Sequence, residues 1–426
     1  MTLPDRSAVL SAESIDRRVL EEGVVLLMRR HPHSRSVVVG ISVASGAADD
    51  PDDRLGLAEC TAEMLMRGSE KMSADVLNEE VESVGASLGA ASGLHTTGLT
   101  ATCLAEDFSH LLDLIEQTLT EPKFPDSELE KVKSEMLTGL FERDHDTRQT
   151  AVMQVHRLAY PTDHPYSRPP DGFFDTVEAI TRDDLVAHHS EHLCRRPVIV
   201  TVVGAIEPDE VEAQVRTTLG SWVAARLSAQ NTPDAPPLSE VATERLVIPG
   251  KTQSDLIIGV PGPRRGDDDY LAARIGNLAL GGFGLMGRLG KVVREEHGLA
   301  YYASSALNGG AGPGLWMVYA GVDPNSVDQV VGLCRSEMQR LASEPLSGEE
   351  MDDCASNFTG SLPMQLESNG GVAQTLGDME WYGLGLDYVE RYPSLIRSIT
   401  ADQVMETAMR YLGQPNYALA IAGPNA

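Results

Sequence analysis

The sequence lacks what would mark a secreted scaffold, a membrane protein or a nucleic-acid binder. Its five cysteines (Cys60, Cys103, Cys194, Cys334 and Cys354) are widely spaced, and no CxxC occurs. That excludes a disulfide framework and a zinc ribbon, and predicts reduced, mostly buried thiols in a cytosolic protein. Lysine is scarce: Lys71, Lys123, Lys131, Lys133, Lys251 and Lys291 are all there are among 34 Lys and Arg residues. Against these stand 63 Asp and Glu, for a formal net charge of −29. Such a surface repels phosphate backbones and tolerates basic partners, so no nucleic-acid partner is expected. Long hydrophobic runs are missing. The stretch Val198 to Val203 is strand-sized, far short of the roughly 20 residues of a membrane span. The opening MTLPDRSAVLSAESIDRRVLEEG has neither an apolar core nor a small-residue cleavage site. It predicts no signal peptide, no membrane partner and a cytoplasmic location.

What is present is enough core for more than one domain. The chain has 426 residues, of which 42% are hydrophobic, and this length suits two domains of about 200 residues each. An internal repeat supports that division. ITRDDLVAHHSEHLCRRPVIVTVVG ends at Gly204, and ITADQVMETAMRYLGQPNYALAIAG ends at Gly423. In each copy a Thr (Thr181, Thr400) opens a helix as its N-cap, a Pro ends it, and an apolar strand follows. Glu121-Pro122 before Glu128-Leu129 matches Glu344-Pro345 before Glu350-Met351, with offsets between the copies of 219 to 223 residues throughout. Two copies of one domain are expected. The boundary is a linker over 226–241, RLSAQNTPDAPPLSEV, rich in Pro, Ser and Asp without apolar period. The domains are then 1–225 and 242–426.

Within the first half, strands are expected over Val19–Met28, with a turn at Glu22-Gly23, and over Ser36–Ala44. Helices follow over Leu55–Arg67 and Ser73–Val84, then a hairpin over Ser87–Leu104, and long helices over 106–160. Strands mixed with helix pairs, without strict βαβ alternation, predict an α+β fold with mostly antiparallel sheets.

Three short matches need weighing. Gly282-Phe-Gly284-Leu-Met-Gly287 fits GxGxxG, but the preceding YLAARIGNLAL has helical spacing and no acid follows at the required distance, so no dinucleotide site is expected. Gly250-Lys251-Thr252 lacks the first glycine of a P-loop. The third is His188-His189-Ser190-Glu191-His192, which spells HxxEH. On a helix His188 and His192 share one face and could both ligate zinc beside Glu191. Its twin helix reads METAMRY at that place, however. A helix that packs in both copies most simply turns this face to water, so solvated histidines are expected, not a metal site.

Gly56-Leu57-Ala58-Glu59-Cys60-Thr61-Ala62-Glu63-Met64-Leu65-Met66-Arg67-Gly68-Ser69 resembles the signature helix of the M16 (pitrilysin-type) metallopeptidases. The segments at Gly40–Pro51, 124–136 and 157–172 agree in the same order. So do Gly287-Arg288-Leu289 and Arg294-Glu295-Glu296-His297-Gly298-Leu299-Ala300-Tyr301 in the second half. The resemblance implies a two-domain α+β subunit that forms half of a clam-shaped peptide chamber.

The departures from the family pattern fall on the chemistry. The zinc histidines of the family correspond to Glu59 and Glu63, and its general-base Glu to Ala62. The third ligand falls near Thr138-Gly139. Two carboxylates and a methyl group cannot reproduce two imidazoles and a base. The chain is therefore expected to hold no zinc and to hydrolyse no peptide alone. Arg294 and Tyr301, seven residues apart, are intact. In active relatives such a pair lies across from the zinc, where the hydroxyl donates to the scissile carbonyl and the Arg holds a substrate carbonyl or carboxylate. The resemblance thus implies a non-catalytic subunit of a heterodimeric zinc peptidase, with zinc in a sibling chain that carries HxxEH and unfolded peptides as substrate. The glycine-rich Gly281–Gly284 stretch and the Gly85–Leu104 hairpin are candidate peptide contacts. An inert structural or peptide-binding homodimer is the alternative.

Overall fold

The computed structural model describes residues 10–220, 222 and 231–424. Residues 226–230 of the expected linker lie outside these; 231–241 run without helix or strand. The chain forms two compact units. The first takes residues up to Thr138, Pro170–Asn231 and Leu362–Arg391, and the second takes Gly139–Pro169, Thr232–Ser361 and the chain from Tyr392 on.

The sheet of the first unit contains β1 (Asp16–Glu21), β2 (Val24–Arg30), β3 (Ser36–Val43), β4 (Ser87–Ser92), β5 (Thr97–Leu104) and β6 (Val198–Gly204) in the order β1-β2-β6-β3-β5-β4. The second sheet contains β7 (Ala242–Val247), β8 (Ser254–Pro261), β9 (Ala300–Leu307), β10 (Leu315–Val322) and β11 (Ala418–Gly423) in the order β7-β11-β8-β10-β9. The repeat is visible in the pairing. β6 lies parallel to β2 and antiparallel to β3, and β11 lies parallel to β7 and antiparallel to β8. All other pairs are antiparallel, so the fold is the mostly antiparallel α+β arrangement expected. The N-caps stand where the sequence places them. Thr181 and Asp184, and Thr400 and Gln403, form reciprocal capping boxes, each satisfying orphan donors of a first turn.

Both faces of the first sheet are covered. Leu26, Met28, Val39, Ile41, Val200 and Val202 pack with Cys60 and Met64 of helix Leu57–Leu65 and with Leu111, Leu112 and Ile115 of helix Phe108–Thr120. Leu27, Val38, Ile199 and Val203 face the other way, as period-two alternation requires, and meet Val372, Ala373, Leu376 and Met379 of helix Asn369–Trp381. That helix comes from the second half of the sequence. The exchange is mutual: helix Thr147–Ala159, from the first half, packs on β8 and β11. Gly259 on β8 makes room for it, since a Cβ there would lie 3.0 Å from Val155 Cγ2. The compact units therefore differ from the two continuous halves of the sequence. Each sheet has a second apolar face that its own half leaves bare, and a helix of the other half buries it.

Candidate functional site

Helix Leu57–Leu65 is held rigidly at its start. Gly56 adopts φ +92°, and the buried Asp50 carboxylate accepts from the backbone N–H of Gly56 (2.9 Å) and Ala58 (3.0 Å). The end of the Gly40–Pro51 segment, at Asp50, therefore caps this helix. On the helix, Cys60, Thr61 and Ala62 are wholly buried, Glu59 is half-buried and Glu63 is exposed. Burial pushes the Cys60 thiol up to about 12, against the opposing pull of Lys133. The described cysteines are all free. Ala62 puts a packed methyl where the family keeps its base. Thr138 and Gly139 are exposed on helix Asp126–His145, and the Thr138 hydroxyl donates back to the Ser134 carbonyl (2.8 Å). Among the described residues no group of three His, Cys, Asp or Glu side chains is placed to hold a metal. The residues at the signature helix thus do not fit the zinc of the family.

Among the described residues the HxxEH segment at 188–192 forms no metal centre either, but His188 and His189 are buried rather than solvated. His188 is 3% exposed and His189 9%. After His188 the helix widens into a π-turn over His189–Leu193. The His188 and His192 rings stack at 4.7 Å between centroids and 21° between planes. An imidazole lone pair lies in its ring plane, so stacked rings send theirs along near-parallel lines that do not converge on one ion. His189 Nε2 donates to the Leu119 carbonyl at 2.7 Å, with Cys194 Sγ 3.7 Å away. His188 Nε2 and His192 Nδ1 are buried with no hydrogen-bond partner among the described residues. The expectation of a wet face fails because the helix position, not the polarity of the side chain, sets its exposure. In the twin helix, Thr407 and Ala408 occupy the same positions and are equally buried.

These buried imidazoles make the fold acid-sensitive. Burial, aided by the neighbouring His192 and His189, lowers the pKa of His188 to about 3. Burial also lowers those of His189 and His192, the latter against the pull of Asp49. A group whose folded pKa is depressed stabilises the fold fully above its unfolded pKa, near 6.5, and loses that stabilisation as pH falls toward the folded value. From pH 7.5 to 5, His188 alone contributes a loss of about 2 kcal/mol. Urea denaturation at the two pH values checks this: His188→Phe, which keeps the stack, is expected to show a smaller pH effect than the wild type. An equal effect in both would reject the assignment.

The Arg-Tyr motif is built differently. Arg294 lies on a π-helical segment, Gly290–Glu296, and Tyr301 on β9, the edge strand of the second sheet. Tyr301 is 77% exposed, and the Arg294 guanidinium lies 5.9 Å from its ring centroid. The guanidinium makes no ion pair or side-chain hydrogen bond among the described residues. On the neighbouring position the chain is anchored instead: the Tyr302 hydroxyl and the Thr147 hydroxyl both donate to the buried Asp255 carboxylate. Arg148 stacks over Tyr302 and Tyr319 at 5.1 and 4.9 Å. One tyrosine holds the strand, and the adjacent one, on the opposite face, is presented to solvent with a cation beside it.

Two features here were not read from the sequence. Arg288 is 8% exposed and makes a two-pronged ion pair with Glu350, at 2.7 and 3.0 Å. The repeat pointed at Glu350 but gave no partner for it. Although burial raises its pKa, the Arg288 bonds and the Ser347 N–H hold the Glu350 carboxyl at about 2. The glycine-rich stretch begins inside one π-helical segment, Leu278–Gly282, and a second, Gly290–Glu296, follows it. π-turns are rare and concentrate at functional sites, and no propensity pattern announces them.

The comparisons with known proteins agree with this picture. Residues 25–168 match the family model described as Insulinase (Peptidase family M16), and residues 179–358 match the one described as Peptidase M16 inactive domain. An uncharacterised zinc protease of Streptomyces coelicolor is 28% identical over 96% of this chain and 90% of its own length. One from Mycobacterium leprae is 26% identical over 99% and 94%. Among solved structures, a peptidase M16 inactive domain from Pseudomonas fluorescens superposes with a TM-score of 0.88 at 23% identity, covering 97% of this chain and 98% of that one. A protease from Helicobacter pylori gives 0.86 at 18% identity, covering 98% and 100%. With both family models in order along the chain, the repeated sheets and the signature segments in place, this chain belongs to the M16 peptidase family.

Proposed function

We propose that the protein is the non-catalytic subunit of a heterodimeric M16 peptidase. A sibling chain carrying HxxEH would hold the zinc and the activated water. This chain would supply Arg294 and Tyr301 to that site and form half of a chamber for unfolded peptides. The observation that carries the reading is the contrast between the two motifs: the signature helix offers only Glu59, Ala62 and Glu63, while Tyr301 stands exposed with Arg294, which has no ion pair among the described residues, over its ring. A hydroxyl aimed at a carbonyl oxygen stabilises the charge that develops there, and a guanidinium can hold a neighbouring carbonyl. The open edge of β4, where a Cβ added at Gly89 would meet nothing within 4 Å, suits an extended peptide as an added strand. Free thiols throughout the described chain suit a cytoplasmic site. No described helix is long and apolar enough to cross a membrane.

Reconstitution tests the proposal. Hydrolysis of an unfolded peptide is expected only when this chain and an HxxEH sibling are mixed. Hydrolysis by this chain alone would overturn it. A chain that binds only itself and never activates a sibling would be the inert homodimer.

A further inference from the structure

The linker is strapped down where it enters the second unit. Arg264, in the loop after β8, donates to the carbonyls of Thr232 (3.1 Å), Pro233 (3.3 Å) and Ala311 (3.0 Å) and pairs with the Asp234 carboxylate. His164 Nε2 donates to the Pro233 carbonyl at 3.3 Å, and Asn416 Nδ2 to the Leu238 carbonyl at 2.9 Å. Held at both ends, this strap forms one wall of a cavity of about 550 Å³ within the second unit, inside the range of roughly 300–1,000 Å³ that small-molecule sites occupy. The other walls are the end of β8, Pro313, and the C-terminal end of helix Ala401–Tyr411 with the turn that follows it. The charges here do not cancel. Arg264 is taken up by the strap, and Arg410 pairs with Asp269 at 2.7 Å. Asp267 is left over: one oxygen accepts the Arg264 backbone N–H at 2.8 Å, and its carboxylate makes no ion pair among the described residues. The two amides of the lining add acceptors. Gln414 Nε2 donates to the Arg410 carbonyl at 3.2 Å and Asn416 Nδ2 to the strap, while their oxygens have no partner among the described residues. The carbonyl end of the helix carries partial negative charge as well.

We propose that this cavity binds a small organic amine, with its ammonium on Asp267 and its apolar stem on Leu238, Val260 and Pro313 of the same lining. Charge complementarity selects that occupant. An anion would meet Asp234 and Asp267, while both arginines already have carboxylate partners. An uncharged ligand would cover the Asp267 carboxylate and leave it without a counter-charge. A bare metal ion would need more ligands than Asp267, and among the described residues no three His, Cys, Asp or Glu side chains are placed to hold one. An ammonium with an apolar body satisfies the leftover charge, the free amide oxygens and the apolar wall together. Because the linker strap is one wall, an occupied cavity also steadies the strap, so hydrogen exchange at 232–238 is expected to slow when the ligand is bound. The site involves neither Arg294 nor Tyr301 and does not depend on the reading of the chain as a peptidase subunit.

Calorimetry on the full chain with hexylamine and hexanol tests this, in salt near 0.15 M to screen the general pull of an acidic chain on cations. The two probes share one stem and differ in the ammonium. Hexylamine is expected to bind about tenfold more tightly, as one charge-assisted bond allows. In Asp267→Asn the amide oxygen can still accept the Arg264 N–H, so the turn is kept, and the preference is expected to fall below about twofold with no change in melting temperature. Leu238→Ala is expected to weaken both probes alike, because it removes apolar wall and leaves the charge. Hydrogen exchange at 232–238 in the wild type is expected to slow with hexylamine and not in Asp267→Asn. Equal binding of hexylamine and hexanol overturns the proposal, as does a preference that survives Asp267→Asn, or no hexylamine binding up to about 10 mM. Tighter binding of Nα-acetyl-lysine amide than of hexylamine would assign the cavity to a lysine of a peptide and overturn the small-amine occupant.

Discussion

Tyr301→Phe is expected to lower the kcat of the reconstituted peptidase by about 10²–10³, the usual cost of removing one donor to a developing oxyanion. The substitution deletes a single oxygen. Tyr301 is exposed and the ring that Arg294 covers is kept, so folding, assembly and the partner's zinc content should not change. On the proposed reading, Arg294→Ala removes a cation that would touch substrate before and during the reaction. It is expected to raise KM as well as lower kcat, whereas Tyr301→Phe acts mainly on kcat. Steady-state kinetics on one unfolded peptide, with zinc measured on each preparation, separates the two. Unchanged kcat in both variants would leave the pair a structural feature of β9 and remove the reason to place this chain at a partner's site.

Arg288→Ala is expected to destabilise the second unit by about 2–4 kcal/mol. Removing one partner leaves Glu350 part-buried without its two charge-assisted bonds. Glu350 keeps about a third of its side chain exposed, which holds the cost toward the lower end. For a unit near 200 residues this shifts the melting temperature by roughly 5–15 °C. The Arg245–Asp328 pair is the control. It is equally short, at 2.7 Å, but its side chains are 48% and 92% exposed, and Arg245→Ala should cost well under 1 kcal/mol. The pH dependence has a definite sign. Glu350 has a depressed folded pKa, so the stabilisation is present above the unfolded carboxylate value and is lost as pH falls toward about 2. Equal melting temperatures for Arg288→Ala and Arg245→Ala would contradict the account.

Much of the fold was legible because local rules and repeat agree. Both Thr N-caps, both apolar strands after a Pro, and the Ser87–Leu104 hairpin stand where spacing put them. The helix exchange was not legible. Periodicity shows that Thr147–Ala159 has an apolar face, but not which sheet receives it. A contact between segments far apart in sequence is decided by which face is left bare. The histidine segment shows the opposite failure. Its imidazoles are polar by composition, yet the helix positions of His188 and His189 are buried in both copies, and position decides. At the candidate site, residue identity carried the Glu59–Ala62–Glu63 degeneracy and the Arg294–Tyr301 pair. What sequence could not give is the local frame: a π-helical turn, glycines packed on glycines, and the Arg288–Glu350 ion pair.

The most direct test of the central claim is the zinc content of the chain purified alone, by mass spectrometry after dialysis without chelator. Glu59, Ala62 and Glu63 offer no imidazole, and the His188 and His192 rings are stacked with His188 buried, so the account predicts close to no zinc per chain. One tightly held zinc per chain would contradict it.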